Sequence, residues 1–186
     1  MNRVIFGFFA LVLALGVSTV SAQKSDGNPM VGGAPMYKTK NIVENAVNSK
    51  DHTTLVAAVQ AADLVDTLKS AGPFTVFAPV NSAFDALPAG TVATLLKPEN
   101  KATLAKVLTY HVVAGNMDSK AIAKAIKKGK GKASFKTVAG GTLTASMDGK
   151  TLVLTDEKGG KSRVTIADVR QSNGVIHVVD SVLLPN

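Results

Sequence analysis

The chain has no cysteine and no tryptophan, only two Tyr and seven Phe, and 13 acidic against 21 basic side chains. Without Cys there is no disulfide, no thiolate metal site and no lipid-modified N-terminal cysteine, so a packed apolar core must supply the stability. Low aromatic content gives no particular help to a carrier of large apolar ligands. The uncharged run from Val4 to Val17 spans 14 residues, short of the ~20 that a bilayer-spanning helix needs. No serine lies in a G-x-S-x-G elbow and there is no Arg-Gly-Asp, so neither the hydrolase pattern nor integrin-type recognition is signalled. His52, His111 and His177 are the only neutral-pH acid/base candidates, and their separations of 59 and 66 residues match no local metal-ligand spacing. Catalytic residues, a metal site and a cofactor are therefore not expected.

What is present begins with an export signal. Arg3, the apolar run and the small-residue stretch Val20-Ser21-Ala22 have the layout of a secretory signal peptide over residues 1–22, cut between Ala22 and Gln23. A lasting membrane anchor is the competing reading, and the length of the run counts against it. Residues 23–38, with Gly27, Pro29, Gly32, Gly33 and Pro35, read as a flexible linker. The formal charge of +8 favours anionic surfaces, and export argues against nucleic acid as the partner.

Residues 39–186 read as one folded domain of α+β class. Ile42, Val43, Ala46 and Val47, then Leu55, Val56, Val59 and Ala62, keep helical spacing, with Asp51 and Thr53 as cap candidates, so two or three short helices fill Thr39 to Ser70. Gly72-Pro73 ends them, and Phe74 to Ala78 has the content of a strand buried on both faces, closed by Pro79. Asn81 or Ser82 can cap a short helix, and further helices are expected at Thr91 to Leu96, Glu99 to Leu108 and Ser119 to Lys128. The period then changes to 2. Thr142 to Met147 and Lys150 to Thr155 flank a turn at Asp148-Gly149. After a second turn at Lys158-Gly159-Gly160, strands follow at Ser162 to Ile166, Val175 to Val179 and Val182 to Leu184.

Three segments carry a resemblance. Thr75 to Phe84 reads TVFAPVNSAF, Tyr110-His111 reads YH, and Asn173 to Pro185 reads NGVIHVVDSVLLP. In that order and separation they resemble the motifs of the fasciclin domain. The resemblance implies a wedge-shaped β-sandwich with an N-terminal helical layer, and a role in extracellular adhesion or surface interaction. The motif positions Thr75, Phe77, Pro79, Asn81, Phe84, Tyr110, His111, Asn173, Gly174, His177 and Asp180 are expected to be structural. Gly174 is expected to allow a tight left-handed turn, His177 to be a core histidine bonded to a backbone carbonyl, and Tyr110 and His111 to point to opposite faces if both lie in strand.

The most informative surface feature is the helix at 119–128. At about 100° per residue, Lys120, Lys124, Lys127 and Lys128 share one side and Ile122 and Ile126 the other. One account is a docked helix with solvated lysines. The sharper one is that the stripe, with Lys130 and Lys132, holds an anionic partner such as an acidic polysaccharide or a lipid headgroup. Gly160-Lys161-Ser162 imitates the end of a phosphate-binding loop, but Thr155 stands where its first Gly belongs, so it reads as a solvated turn. The expected function is a non-enzymatic binding module for a cell-surface or matrix component. The alternative is a soluble carrier of an apolar small molecule such as a carotenoid or lipid, the class that some fasciclin-type proteins resemble.

Overall fold

Helix α1 (Ile42–Ala46) starts because Asn41 and Glu44 form a reciprocal capping box: Asn41 Oδ1 accepts from the Glu44 amide and Glu44 Oε2 from the Asn41 amide, both at 2.9 Å. The computed structural model describes residues 27–186, so the expected signal peptide at 1–22 lies outside the described residues. Before α1, β1 (Met30–Val31) and β2 (Ala34–Pro35) pair as a small hairpin; after it come a 3₁₀ turn (Lys50–His52), α2 (Thr53–Ala61) and α3 (Val65–Lys69). Strand β3 (Phe74–Pro79) is followed by α4 (Asn81–Asp85), α5 (Thr91–Leu95), a 3₁₀ turn (Pro98–Asn100), α6 (Lys101–Tyr110) and β4 (Val112–Ala114). Helix α7 (Ser119–Lys128) then leads into β5 (Lys132–Lys136), β6 (Thr142–Asp148), β7 (Thr151–Thr155), β8 (Lys161–Gln171) and β9 (Gly174–Val179).

Strands β3 to β9 form one sheet in the order β4-β3-β9-β8-β7-β6-β5, antiparallel except for the parallel pair β3 and β9. Strand β8 folds this sheet over. Its first residues pair with β7 and the rest with β9, and within the pairing to β9 the register breaks twice, on either side of Ile166, with Asp168 at φ 61°. Such bulges bend a strand and raise its twist. The folding brings the ends of the sheet together, where Val113 bridges Thr137, giving the α+β sandwich that the motifs imply.

Alternation along β3 and β9 decides which residues serve which layer. Phe77 and Val179 face the inner core with Tyr110, Leu143, Leu154 and Leu183, closed by Ile122 and Ile126 of α7. Val76, Ala78, Ile176 and Val178 face the other way, under Val31, Met36 and Ile42. Successive side chains of a strand point to opposite faces, so this strand pair, buried on both faces and apolar but for Thr75 and His177, is a shared wall between two layers. Burying a side chain such as Phe77 stabilises by about 2–3 kcal/mol.

Several expectations need correction. The stretch read as a flexible linker packs from Val31 onward: Val31 is 3% and Met36 is 2% exposed, with apolar residues on either side of Gly32-Gly33. Tyr110 ends a helix and His111 caps it, so neither is in strand. Val182 to Leu184 pair with nothing as a strand, although Leu183 is fully buried. The β6–β7 loop is Gly149-Lys150, with Gly149 at φ 60°, and Asp148 pairs with Thr151. Gly174 is an ordinary strand residue. What excludes a side chain there is proximity, since a Cβ would lie 2.0 Å from the Phe74 carbonyl oxygen. Neither Asn81 nor Ser82 caps α4, whose N-cap is Val80, and neither Asp51 nor Thr53 caps α2, which starts after His52.

Candidate functional site

The motif residues are spent on holding the chain together. Thr75, fully buried, donates to the Gly115 carbonyl at 2.6 Å and accepts from the Met117 amide at 2.9 Å. Asn81 accepts from the Thr54 amide and donates to the Lys50 carbonyl, tying α4 to the start of α2. Asn173 accepts from the Ile42 amide at 3.0 Å and donates to the carbonyls of Leu68 and Ser70 at 2.8 and 2.9 Å, joining α1, α3 and the β8–β9 turn. Asp180 accepts from the Arg163 amide at 2.8 Å. Phe77 and Phe84 are core residues, and Pro79 is the last residue of β3, beside Val179.

Both motif histidines are held neutral. His111 Nδ1 meets the Val107 carbonyl at 2.8 Å, and Nε2 accepts from the Leu183 amide at 3.0 Å, which places its single proton on Nδ1. Burial pushes its pKa down to about 4. His177 stacks on Phe77 at 5.6 Å, its Nε2 meets the Met117 carbonyl at 2.9 Å, and its Nδ1 takes a long contact from the Asp168 amide. Burial lowers its pKa as well, against the Met117 carbonyl and the nearby carboxylates of Asp168 and Asp118. Tyr110, also buried, donates to the Thr142 carbonyl at 2.8 Å and accepts from the Glu157 amide, and burial raises its pKa. Among the described residues no group of three His, Asp or Glu side chains could hold a metal ion. Of the expected solvated turn only the part to Gly160 is one, where Asp156 Oδ1 accepts from the amides of Lys158 and Gly160; Lys161 and Ser162 open β8, and Ser162 is fully buried, donating to the Ser181 carbonyl.

Two features remain open to solvent or to a ligand. The first is α7. Asp118 caps it by accepting from the Ala121 amide at 2.9 Å; that bond, with Arg170 beside it, holds the Asp118 carboxyl below its ordinary range. Asp168 pins the next residue by accepting from the Ser119 amide at 2.6 Å. Ile122 and Ile126 are buried, while Lys120, Lys124, Lys127 and Lys128 are exposed, as are Lys130 and Lys132 beyond the helix. Among the described residues none of these six lysines forms a salt bridge. Lys127 and Lys128 sit favourably at the helix C-terminus; Lys120 in the first turn has no such benefit. Lys130 occupies the left-handed position after the helix, φ 55°, with its amide on the Lys127 carbonyl and the Gly131 amide on the Ile126 carbonyl, a place where glycine is usual. Lys132 opens β5, on the face opposite Ala133 and Phe135.

The second is a cavity of about 220 Å³ between the helical layer and the β3–β9 face, walled by Met36, Ile42, Leu55, Leu68, Val76 and Ile176. It reaches the surface beside Val47 and Val138, each about half exposed. His52, 3% exposed, also lines it; Nδ1 pairs with Ser49 Oγ at 2.9 Å and Nε2 has no hydrogen-bond partner. A carrier would need a pocket between helices and sheet, but the sequence alone does not name its lining residues, because its walls come from segments between Val31 and Ile176 and no local spacing signals them.

A family model described as the fasciclin domain matches residues 50–185. The chain is 47% identical over 186 residues to protein sll1483 of Synechocystis sp., covering 97% of this chain and 96% of that one. It is 36% identical to immunogenic protein MPB70 of Mycobacterium bovis over 75% of this chain and 66% of that protein. Its fold matches, with a TM-score of 0.69 and 18% identity, a solved FAS1 domain pair from the insect cell adhesion molecule fasciclin I, over 78% of this chain and 51% of that pair. These matches and the arrangement of the motif residues together establish that the chain belongs to the fasciclin domain family.

Proposed function

We propose that this chain is an exported, non-enzymatic binding module that attaches to an anionic cell-surface or matrix component through the α7 face. The observation that carries this reading is a row of exposed lysines without acidic partners among the described residues, on a molecule whose motif side chains are occupied internally. Four like charges on one helix face repel by a few tenths of a kcal/mol per pair, and a polyanion relieves that repulsion. The fold shared with a domain pair of an insect cell adhesion molecule supports adhesion as the context. Lys130 adds to the case: a left-handed lysine costs about 1 kcal/mol that glycine would avoid, so its charge is held there against backbone preference.

The test is retention on heparin and on anionic vesicles for a variant with Lys120, Lys124, Lys127 and Lys128 changed to Gln. Each lysine near an anionic surface contributes up to about 1 kcal/mol, so the variant elutes at much lower salt while its unfolding is unchanged. Unaltered, salt-insensitive retention removes the α7 face from the mechanism, and unchanged attachment and biofilm in cells lacking the gene removes adhesion.

The cavity favours a second reading, a carrier of an apolar small molecule. Concave sites lined mostly by apolar side chains with a few polar groups are the usual form of small-molecule sites. Protein purified from its native host should then bring an absorbing or lipid ligand visible by spectroscopy or mass spectrometry; colourless, lipid-free protein from a pigment-containing cell counts against it.

A further inference from the structure

Alternation sorts the side chains of β5 to β8 into two faces. Phe135, Leu143, Ala145 and Leu154 turn inward, and Ile122 and Ile126 bring α7 against that side. The outward face is polar. Cross-strand pairing sets Ser134, Thr144 and Thr155 in one row that ends at Lys161, sets Lys132, Ser146, Val153 and Arg163 in the next, and puts Lys136 beside Thr142. Neighbours in a row stand about 4.8 Å apart. Among the described residues none of these five hydroxyls bonds within the chain, Thr142 being engaged through its backbone alone, whereas Thr75 and Ser162 spend theirs on carbonyls. Cations flank the hydroxyl strip on both sides, Lys132 and Lys136 on β5 and Lys161 and Arg163 on β8, and all four are exposed. Two carboxylates reach this face and both are engaged: Asp148 pairs with Arg163 at 3.0 Å, and Asp180 accepts from the Arg163 amide and the Ser181 hydroxyl.

We propose that this face is a second binding surface, for an acidic polysaccharide lying along β6 and β7. Its sugar hydroxyls pair with Thr144, Ser146 and Thr155, and its sulfate or carboxylate groups are held by the flanking cations. A side-chain hydroxyl both donates and accepts, as a sugar hydroxyl does, so rows of them match a sugar chain without fixing one polarity. Excess positive charge on the face draws an anionic polymer to it. The outward positions carry no aromatic ring to stack on a neutral sugar, and no Leu, Ile or Phe to enter a bilayer. A charged sugar polymer therefore fits better than a neutral glycan or a headgroup layer. The inference goes beyond the α7 reading, since that helix packs on the other side of the same strands.

The experiment titrates the full chain with heparin and with poly(vinyl sulfate), a polyanion that has no sugar hydroxyls. Thr144→Val with Thr155→Val keeps the β-branched shape, and should weaken heparin about tenfold through lost hydrogen bonds while poly(vinyl sulfate) stays within about twofold. Lys132→Gln, Lys136→Gln and Lys161→Gln together should weaken both polymers, and these losses should persist in a chain that already carries Gln for Lys120, Lys124, Lys127 and Lys128. In the unmutated chain heparin should shift the amide resonances of Thr144 and Thr155, a readout that does not depend on a variant folding. Shifts confined to α7, or an equal response of the two polymers to the threonine changes, overturns the sheet-face site and leaves the α7 reading standing. Failure of heparin to bind at all overturns both.

Discussion

The inner core of the folded sheet and the layer beneath the N-terminal helices share the walls β3 and β9, yet they treat their histidines differently. On the inner side His177 engages the chain through both ring nitrogens, and at the end of α6 His111 does the same. On the outer side His52 pairs Nδ1 with Ser49 and lines a cavity, its Nε2 enclosed and outside hydrogen-bond geometry. A polar group whose bonds are all made within the chain fixes one arrangement and has nothing left to offer a ligand. An incompletely packed face is where binding can add free energy.

That contrast can be broken in several ways, the largest first. Leu154, fully buried in the inner core, should cost about 3–5 kcal/mol when replaced by Ala, and Leu68, half-buried beside the existing cavity, less than about 2 kcal/mol. Urea unfolding of both variants decides it; equal losses would erase the distinction between a filled and an unfilled layer.

Acid tests the neutral histidines. His111 has its folded pKa lowered from 6.5 to about 4, so on acidification the unfolded chain takes up a proton that the folded chain refuses. Stability is fully present above about pH 6.5 and falls as pH drops toward 4, by about 3 kcal/mol from this group. His177 and His52, also lowered, act in the same direction. Denaturation midpoints across that range should fall, and the fall should shrink in His111→Gln; a flat profile would mean that His111 takes up its proton as readily in the fold as in the unfolded chain.

Asn173→Ala removes three hydrogen bonds that link both layers, and about 2 kcal/mol should be lost. A loss under about 0.5 kcal/mol in thermal unfolding would show that the turn holds without them. The smallest effect extends the comparison to the exterior. Lys130→Gly should stabilise by about 1 kcal/mol, relieving the left-handed residue, while lowering the salt needed for elution from heparin. Greater stability with unchanged retention would assign Lys130 to neither layer nor partner.

Much of this architecture could be read in the residues. The 3.6-residue period placed α7 from Ser119 to Lys128, and the apolar run at Phe74 to Pro79 named the central strand. The lysine stripe was visible for the same reason, since helical spacing alone puts those side chains on one side. Harder to see was the hairpin at Met30 to Pro35, where glycine and proline outnumber the few apolar residues that pack. Tyr110-His111 reads equally as strand or helix end, and only the backbone carbonyls of Val107 and Leu108 choose the latter. Gly174 reads as a turn residue in sequence because the approach of Phe74 comes from a strand a hundred residues earlier.

By itself the sequence determined the α+β class, the family motifs, the two-sided central strand and the charged helix, because each rests on local composition and period, which act within a few residues. Only the tertiary structure decided that the motif histidines are neutral brackets, that β8 folds the sheet, and that a cavity lies between the helical layer and the β3–β9 face. Those properties depend on which distant groups meet and on what water is excluded, and neither is encoded in the spacing of neighbours along the chain.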